Sequence, residues 1–227
     1  MSSDQKPASS KVTRRSFLQT GSAVAAGLAW TAQSYGSILG ANDRIRVGFI
    51  GAGGMANAHM NTYNAIREKN NVEAIAVADC WTTRAEEGKA KTGAKHAFSD
   101  YQKVLDIKDI DYVTIATPEH WHAQMTIDAL DAGKAVYCEK PMTHSIPEAQ
   151  AVIKKQKETK LPIQVGVQGM SDDSYSSAAK AIEEGVLGQV VQAQIEYVRR
   201  YGEQGPWRRP GLKDDEAKPA DLDWNAW

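Results

Sequence analysis

The chain has 227 residues, of which 42% are hydrophobic and 24% charged, and a formal net charge of −1. That is enough for one good-sized domain, or one plus part of another, and the composition excludes both a disordered chain and a multispanning membrane protein. A near-neutral balance leaves no electrostatic footprint for nucleic acid, and two cysteines, Cys80 and Cys138, are too few for a disulfide framework.

Residues 1–42 stand apart. Lys6, Lys11, Arg14 and Arg15 are opposed by Asp4 alone, and Phe17–Asn42 then carries no charged residue around a mildly apolar centre, GSAVAAGLAW. A positive stretch followed by an apolar one is a targeting pattern. TRRSFLQ, residues 13–19, resembles the twin-arginine export signal. The expectation is a signal and linker over 1–42 that engages the twin-arginine export machinery. The protein is then periplasmic, with the signal removed after AQS, or held as a membrane anchor facing the periplasm.

From Arg44 onward short apolar runs alternate with amphipathic segments. RIRVGFI reads as a buried strand, MANAHMNTYNAIREK as a helix and NVEAIAVAD as a second strand. TTRAEEGKAKTG is a polar helix closing on Gly93, DYVTIAT a third strand, and HAQMTIDALDAG a helix closing on Gly133. KAVYCE is a strand, SIPEAQAVIKKQKETK a helix starting on Ser145, and LPIQVGV another strand. Strands alternating with helices predict a Rossmann-type doubly wound α/β fold with a mostly parallel sheet over residues 43–168. After it the rhythm changes. DSYSSAAKAIEEGVLG reads as a helix and QVVQAQIEYVRR as a long alternating strand, with Val191, Ala193, Ile195 and Tyr197 on one face. Residues 169–227 therefore read as the beginning of a second, mostly antiparallel α/β domain.

GFIGAGGMANAHM, residues 48–60, follows a strand and opens a helix. Gly51, Gly53 and Ala56 occupy the three positions of G-x-G-x-x-G/A: one for the tight turn, one for backbone approach to a pyrophosphate, one for helix packing. Backbone N–H groups near Gly54 and Met55 then face the phosphates. Asp79 closes the second strand, 28 residues beyond Gly51 and 23 beyond Ala56, near the spacing for a ribose-binding acid. Its carboxylate favours NAD over NADP, with Arg84 close enough to oppose that preference.

Two further stretches fall at strand C-terminal ends, where open α/β sheets place ligands. ATPEHWHAQM sets Thr117 and Pro118 after one strand, with His120, Trp121 and His122 at a helix opening. CEKPMTHS sets Glu139, Lys140 and Pro141 after another. A lysine there can hydrogen-bond a hydroxyl and take its proton as hydride leaves. His59 and His96 read as surface or packing residues. Trp207, Trp224 and Trp227 read as packing aromatics of an extended arm, or as sugar platforms.

RVGFIGAGGMANAHM, VADC, ATPEHWHAQM, CEKPMTHS and VGVQGM occur in the order seen in the Gfo/Idh/MocA oxidoreductases, and the sequence resembles that family over residues 44 to about 200. LDWNAW is similar to the LDWxxW stretch of exported members, with Asn225 where an acid is common. The resemblance implies a Rossmann domain followed by an antiparallel-sheet substrate domain, and hydride transfer between NAD(P) and a sugar or cyclitol hydroxyl. It gives Lys140 the catalytic role, places His122 on the nicotinamide pocket, and suggests a homo-oligomer for a full-length relative. The family's later Asp and His are absent, so the chain reads as a truncated or partial member. Three alternatives remain: a non-catalytic dinucleotide-binding remnant; NAD-dependent, oxidation-assisted glycoside cleavage; and a metal enzyme using His120-x-His122 with Cys138, which lacks a convincing further ligand.

Overall fold

The computed structural model describes residues 44–170, 172–196, 198 and 219–227. Six parallel strands form one sheet in the order β3-β2-β1-β4-β5-β6: β1 Ile45–Ile50, β2 Val72–Ala78, β3 His96–Phe98, β4 Tyr112–Ile115, β5 Ala135–Glu139 and β6 Ile163–Gly166. The helices between them are α1 Gly54–Ile66, α2 Thr82–Thr92, α3 Gln102–Leu105, α4 His122–Asp131 and α5 Ile146–Thr159, with α6 Asp173–Glu183 following β6. This is the doubly wound Rossmann order. The chain leaves β1 towards β2 and β3, then returns past β1 to β4. The crevice where such folds hold ligands therefore lies at the ends of β1 and β4.

Central strands buried on both faces are continuously apolar. Val47, Phe49 and Val77 pack with Met60 and Tyr63 of α1 on one face. Ile50, Val113 and Ile115 pack with Val104 of α3 and with Met125 and Leu130 of α4 on the other. The β1–β2 register shifts between Val47 and Gly48, and there the Ala74 N–H donates to the Tyr63 hydroxyl at 2.8 Å. Local signals set the helix ends. Gly93 closes α2 in the left-handed conformation at φ 73°. Ser145 opens α5, accepting the Glu148 N–H, while Glu148 accepts the His144 N–H. Two short elements, β3 and α3, go unpredicted; three or four residues carry too little periodicity to be read.

The second, antiparallel sheet is not found among the described residues. Among the described residues no strand follows β6, and Val191, Ile195 and Val198 are 88, 93 and 87% exposed. The alternation of QVVQAQIEYVRR is real, but a strand needs a partner, and no described residue pairs with this segment. Tyr197 and Trp207 lie outside the described residues, as does the whole 1–42 segment on which the export signal was read. The membrane-anchored placement is corrected: among the described residues no helix is long and apolar enough to cross a membrane.

Candidate functional site

The turn after β1 is shaped by contact. Gly51 has φ +92°, and a Cβ there would lie 2.6 Å from the Ala116 carbonyl oxygen at the end of β4. Only glycine meets both demands. Gly53 is the N-cap of α1, no side chain caps that helix, and its first turn carries no acidic residue. The opening N–H groups, from Gly54 and Met55 onward, are therefore left for an anion, with the helix dipole in support. A Cβ on Gly53 would meet nothing nearer than the Arg84 guanidinium at 3.5 Å, so the backbone there is open to approach. Ala56 is buried beneath the turn.

Asp79 stands at the end of β2 and holds this turn. One carboxylate oxygen accepts the Ala52 N–H at 2.8 Å and the other the Trp81 N–H at 2.9 Å. Each oxygen keeps a further lone pair for a ligand hydroxyl. Arg84 stacks on the Trp81 ring, 4.4 Å from its centroid, which puts its positive charge on the same side.

Across β1, an open cleft of about 490 Å³ is lined by Met55, Thr117, Pro118, His122, Glu139 and Lys140, together with His120 and Trp227. His122 is 2% exposed and sits between two loops. Its Nδ1 lies 2.7 Å from the Pro141 carbonyl and its Nε2 2.9 Å from the Thr117 carbonyl. Glu139 is buried; its Oε1 lies 2.8 Å from His59 Nε2, and its Oε2 accepts from Gln168 Nε2 and the Lys140 N–H, each at 3.3 Å. Gly166 on β6 leaves this carboxylate room, since a Cβ there would lie 2.9 Å from Glu139 Oε1. Lys140 itself is exposed at the cleft.

The residues proposed from the sequence for dinucleotide binding and proton transfer thus lie at the C-terminal edge of the sheet, on two adjoining patches. Gly51, Gly53, Gly54, Ala56 and Asp79 form the turn; Met55, Thr117, Pro118, His122, Glu139 and Lys140 line the cleft. Trp227, which the sequence offers either as a packing aromatic or as a sugar platform, also lines the cleft, and two more residues were not foreseen: His59 and Gln168. His59 was findable, because it lies one helical turn beyond Met55 on the same face of α1. The metal trio does not converge. His120 Nε2 faces the Trp227 carbonyl at 2.9 Å, the His122 ring is held by carbonyls, and Cys138 packs in the core, where burial pushes its thiol up to about 11.

The family model of the Gfo/Idh/MocA proteins, an oxidoreductase family with an NAD-binding Rossmann fold, matches residues 45–167. Levoglucosan dehydrogenase of Pseudarthrobacter phenanthrenivorans is 30% identical over 161 residues, spanning 68% of this chain and 41% of that protein. The scyllo-inositol 2-dehydrogenase (NAD(+)) of Bacillus subtilis is 31% identical over 148 residues, spanning 65% of this chain and 43% of that one. Among solved structures, levoglucosan dehydrogenase in complex with NADH and levoglucosan superposes with a TM-score of 0.60 at 31% identity, covering 64% of this chain and 41% of that one. The scyllo-inositol dehydrogenase of Lactobacillus casei with NAD(H) and scyllo-inositol gives 0.59 at 27% identity, covering 64% and 42%. The chain spans less than half the length of each of these relatives. With the sheet order, the glycine turn and a family match over most of the described residues in agreement, the chain belongs to the Gfo/Idh/MocA family of NAD(P)-binding oxidoreductases.

Proposed function

We propose that the protein moves hydride between a nicotinamide dinucleotide, NAD in preference to NADP, and a ring hydroxyl of a sugar or cyclitol. Residues 43–168 serve as the cofactor domain and 169–227 begin the substrate domain. One observation carries this reading: Lys140 shares a cleft with Met55 at the helix opening, with Thr117–Pro118 and with His122, next to the glycine turn. Phosphate cradle and proton acceptor therefore stand side by side at the sheet edge where this fold holds ligands.

The residues present fit the cofactor. The turn needs glycine at 51, position 53 is open, and α1 offers uncapped N–H groups. Gly51, Gly53, Gly54, Met55 and Ala56 would hold the pyrophosphate, and Asp79 a ribose. Thr117, Pro118, His122 and Glu139 would shape the nicotinamide end. When bound, the nicotinamide supplies the hydride acceptor. In its amine form, Lys140 hydrogen-bonds the substrate oxygen and takes the hydroxyl proton as the C–H hydride departs, leaving a ketone. Glu139, bridged to His59 and Gln168, holds the backbone of Lys140 through its N–H. The Asp79 carboxylate faces the ribose and disfavours a 2′-phosphate. A homo-oligomer, and the sugar or cyclitol substrate itself, belong to the same proposal.

Fluorescence titration with NADH and NADPH, followed by a panel of sugars and cyclitols with NAD+, tests it. Micromolar NADH binding and NADH production on a cyclic polyol are expected. No dinucleotide binding at all would sink the reading.

A further inference from the structure

Residues 219–227 touch both sides of the site. At one end Asp221 accepts the Trp81 indole N–H at 3.0 Å, and the Thr83 N–H at 2.9 Å and hydroxyl at 2.5 Å, while its own carbonyl accepts the Thr82 N–H at 3.1 Å. Leu222 pairs with Trp81 in an antiparallel bridge, and the Asp223 N–H donates to the Cys80 carbonyl at 2.9 Å. All of these partners follow β2. A tight turn comes next: Asp223 Oδ1 accepts the Asn225 and Ala226 N–H groups at 2.9 and 3.2 Å, and its carbonyl accepts the Trp227 N–H at 3.1 Å. At the other end the Trp227 carbonyl accepts the Trp121 indole N–H at 3.3 Å and lies 2.9 Å from His120 Nε2. These partners follow β4. Since β2 and β4 flank β1 in the sheet, a segment held at both of these ends spans the end of β1.

Trp227 ends up in the cleft that holds Lys140, with its ring 6.3 Å from that of His120 and half of its surface still open, at 52%. A large aromatic face left open beside a proton acceptor is suited to a ligand with an apolar side and a polar rim. A six-membered polyol ring has that form, with a C–H face suited to an indole and a rim of hydroxyls suited to Lys140 of the same cleft.

On the oxidoreductase reading of the cleft, we propose that residues 219–227 are a strap, that Trp227 is the substrate-facing wall it carries, and that Asp221 is the positioning residue that fastens it. The strap ties recognition of the polyol to the loop that bears the cofactor-side Asp79.

The test uses the full chain with three variants, Trp227→Ala, Asp221→Ala and Asp221→Asn, read by amide hydrogen exchange and by steady-state kinetics. Trp227→Ala raises the KM for the polyol about tenfold while the KM for NAD+ stays within about twofold, as removal of one aromatic contact predicts. Asp221→Ala raises exchange at Thr83 and, six residues further along the strap, at Trp227, together with the same rise in polyol KM. Asp221→Asn, which keeps an acceptor oxygen, restores part of both. Faster exchange at Thr83 with Trp227 unmoved would refute the strap. An unchanged polyol KM in Trp227→Ala, or an equal rise for NAD+, would refute the wall. A parent protein that binds no NADH overturns the oxidoreductase reading and the wall with it, and the exchange data still decide whether the strap exists.

Discussion

Asp79 accepts the amide N–H of Ala52 at 2.8 Å, across 27 residues of chain. The acid at the end of β2 fixes the shape of the glycine turn, and on the proposed function it also binds the ribose. Replacing it disturbs both. Asp79→Ala leaves the Ala52 and Trp81 N–H groups without their acceptor, and is expected to weaken NADH binding by more than tenfold and to cost about 1–3 kcal/mol of stability. Asp79→Ser retains a small acceptor, removes the charge and leaves Arg84 in place, so NADPH binding improves relative to NADH. Paired titrations of the two dinucleotides check this; an unchanged ratio would remove Asp79 from cofactor selection.

Gly51→Ala places a methyl group against the Ala116 carbonyl at a backbone angle that L residues avoid. The expected loss is about 2–4 kcal/mol, from left-handed strain plus overlap. Gly53→Ala, at a negative φ of −77° with open space around it, is expected to cost well under half as much stability while still weakening NADH binding. Urea midpoints for the two variants separate a packing glycine from a ligand glycine.

Lys140→Met removes the proposed proton acceptor without opening the core, because the side chain is exposed. Turnover is expected to fall by about 10²–10⁴ with NADH affinity nearly unchanged. Equal loss of binding and turnover would mean that the lysine serves the cofactor and takes no part in the chemistry.

Glu73 accepts from Lys95 at 2.9 Å, with Arg44 on its other oxygen at 3.4 Å, and the Lys95 hydrogen bond holds its carboxyl below the ordinary value. A depressed folded-state value adds stability that is complete above the unfolded carboxylate value and disappears as pH falls through the folded one. Because the partners are largely exposed, the contribution is below about 1 kcal/mol. The stability difference between the parent and Glu73→Gln is expected near neutrality and absent in strong acid; a difference that survives acid would point to packing.

Burial pushes the Cys138 thiol up to about 11, whereas Cys80 is only half-buried. Near pH 8 about one Cys138 thiol in a thousand is thiolate. Aromatic disulfide reagents are expected to titrate one cysteine in the folded protein and the second only on unfolding.

Much of this was legible in the sequence, for reasons of periodicity and spacing. The glycine turn, Asp79 and the E-K-P step are local patterns, and a doubly wound sheet places strand ends together however the loops run. What was not legible depends on contacts between distant segments. His59 read as a surface or packing residue because its hydrogen-bond partner, Glu139, lies 80 positions away. For Trp227 the sequence left packing aromatic and sugar platform both open, because nothing local says that Asp221 reaches Trp81 and Thr83. The alternation over 189–200 predicted a strand, and alternation alone cannot supply the neighbour that a strand requires.

His122 has one more consequence. A flat five-membered ring, almost wholly buried, stands between the carbonyl that follows β4 and the carbonyl that follows β5. It works as a gauge block. With a carbonyl against each ring nitrogen, the two loops cannot close up on each other past the width of the ring. One of those loops carries Thr117–Pro118 and the other Lys140, so the gap between them has a lower bound set by the width of an imidazole, and on the proposed function this is the gap that a carbinol enters. On the proposed function, any tolerance for substrates of different size then has to come from the proposed Trp227 wall.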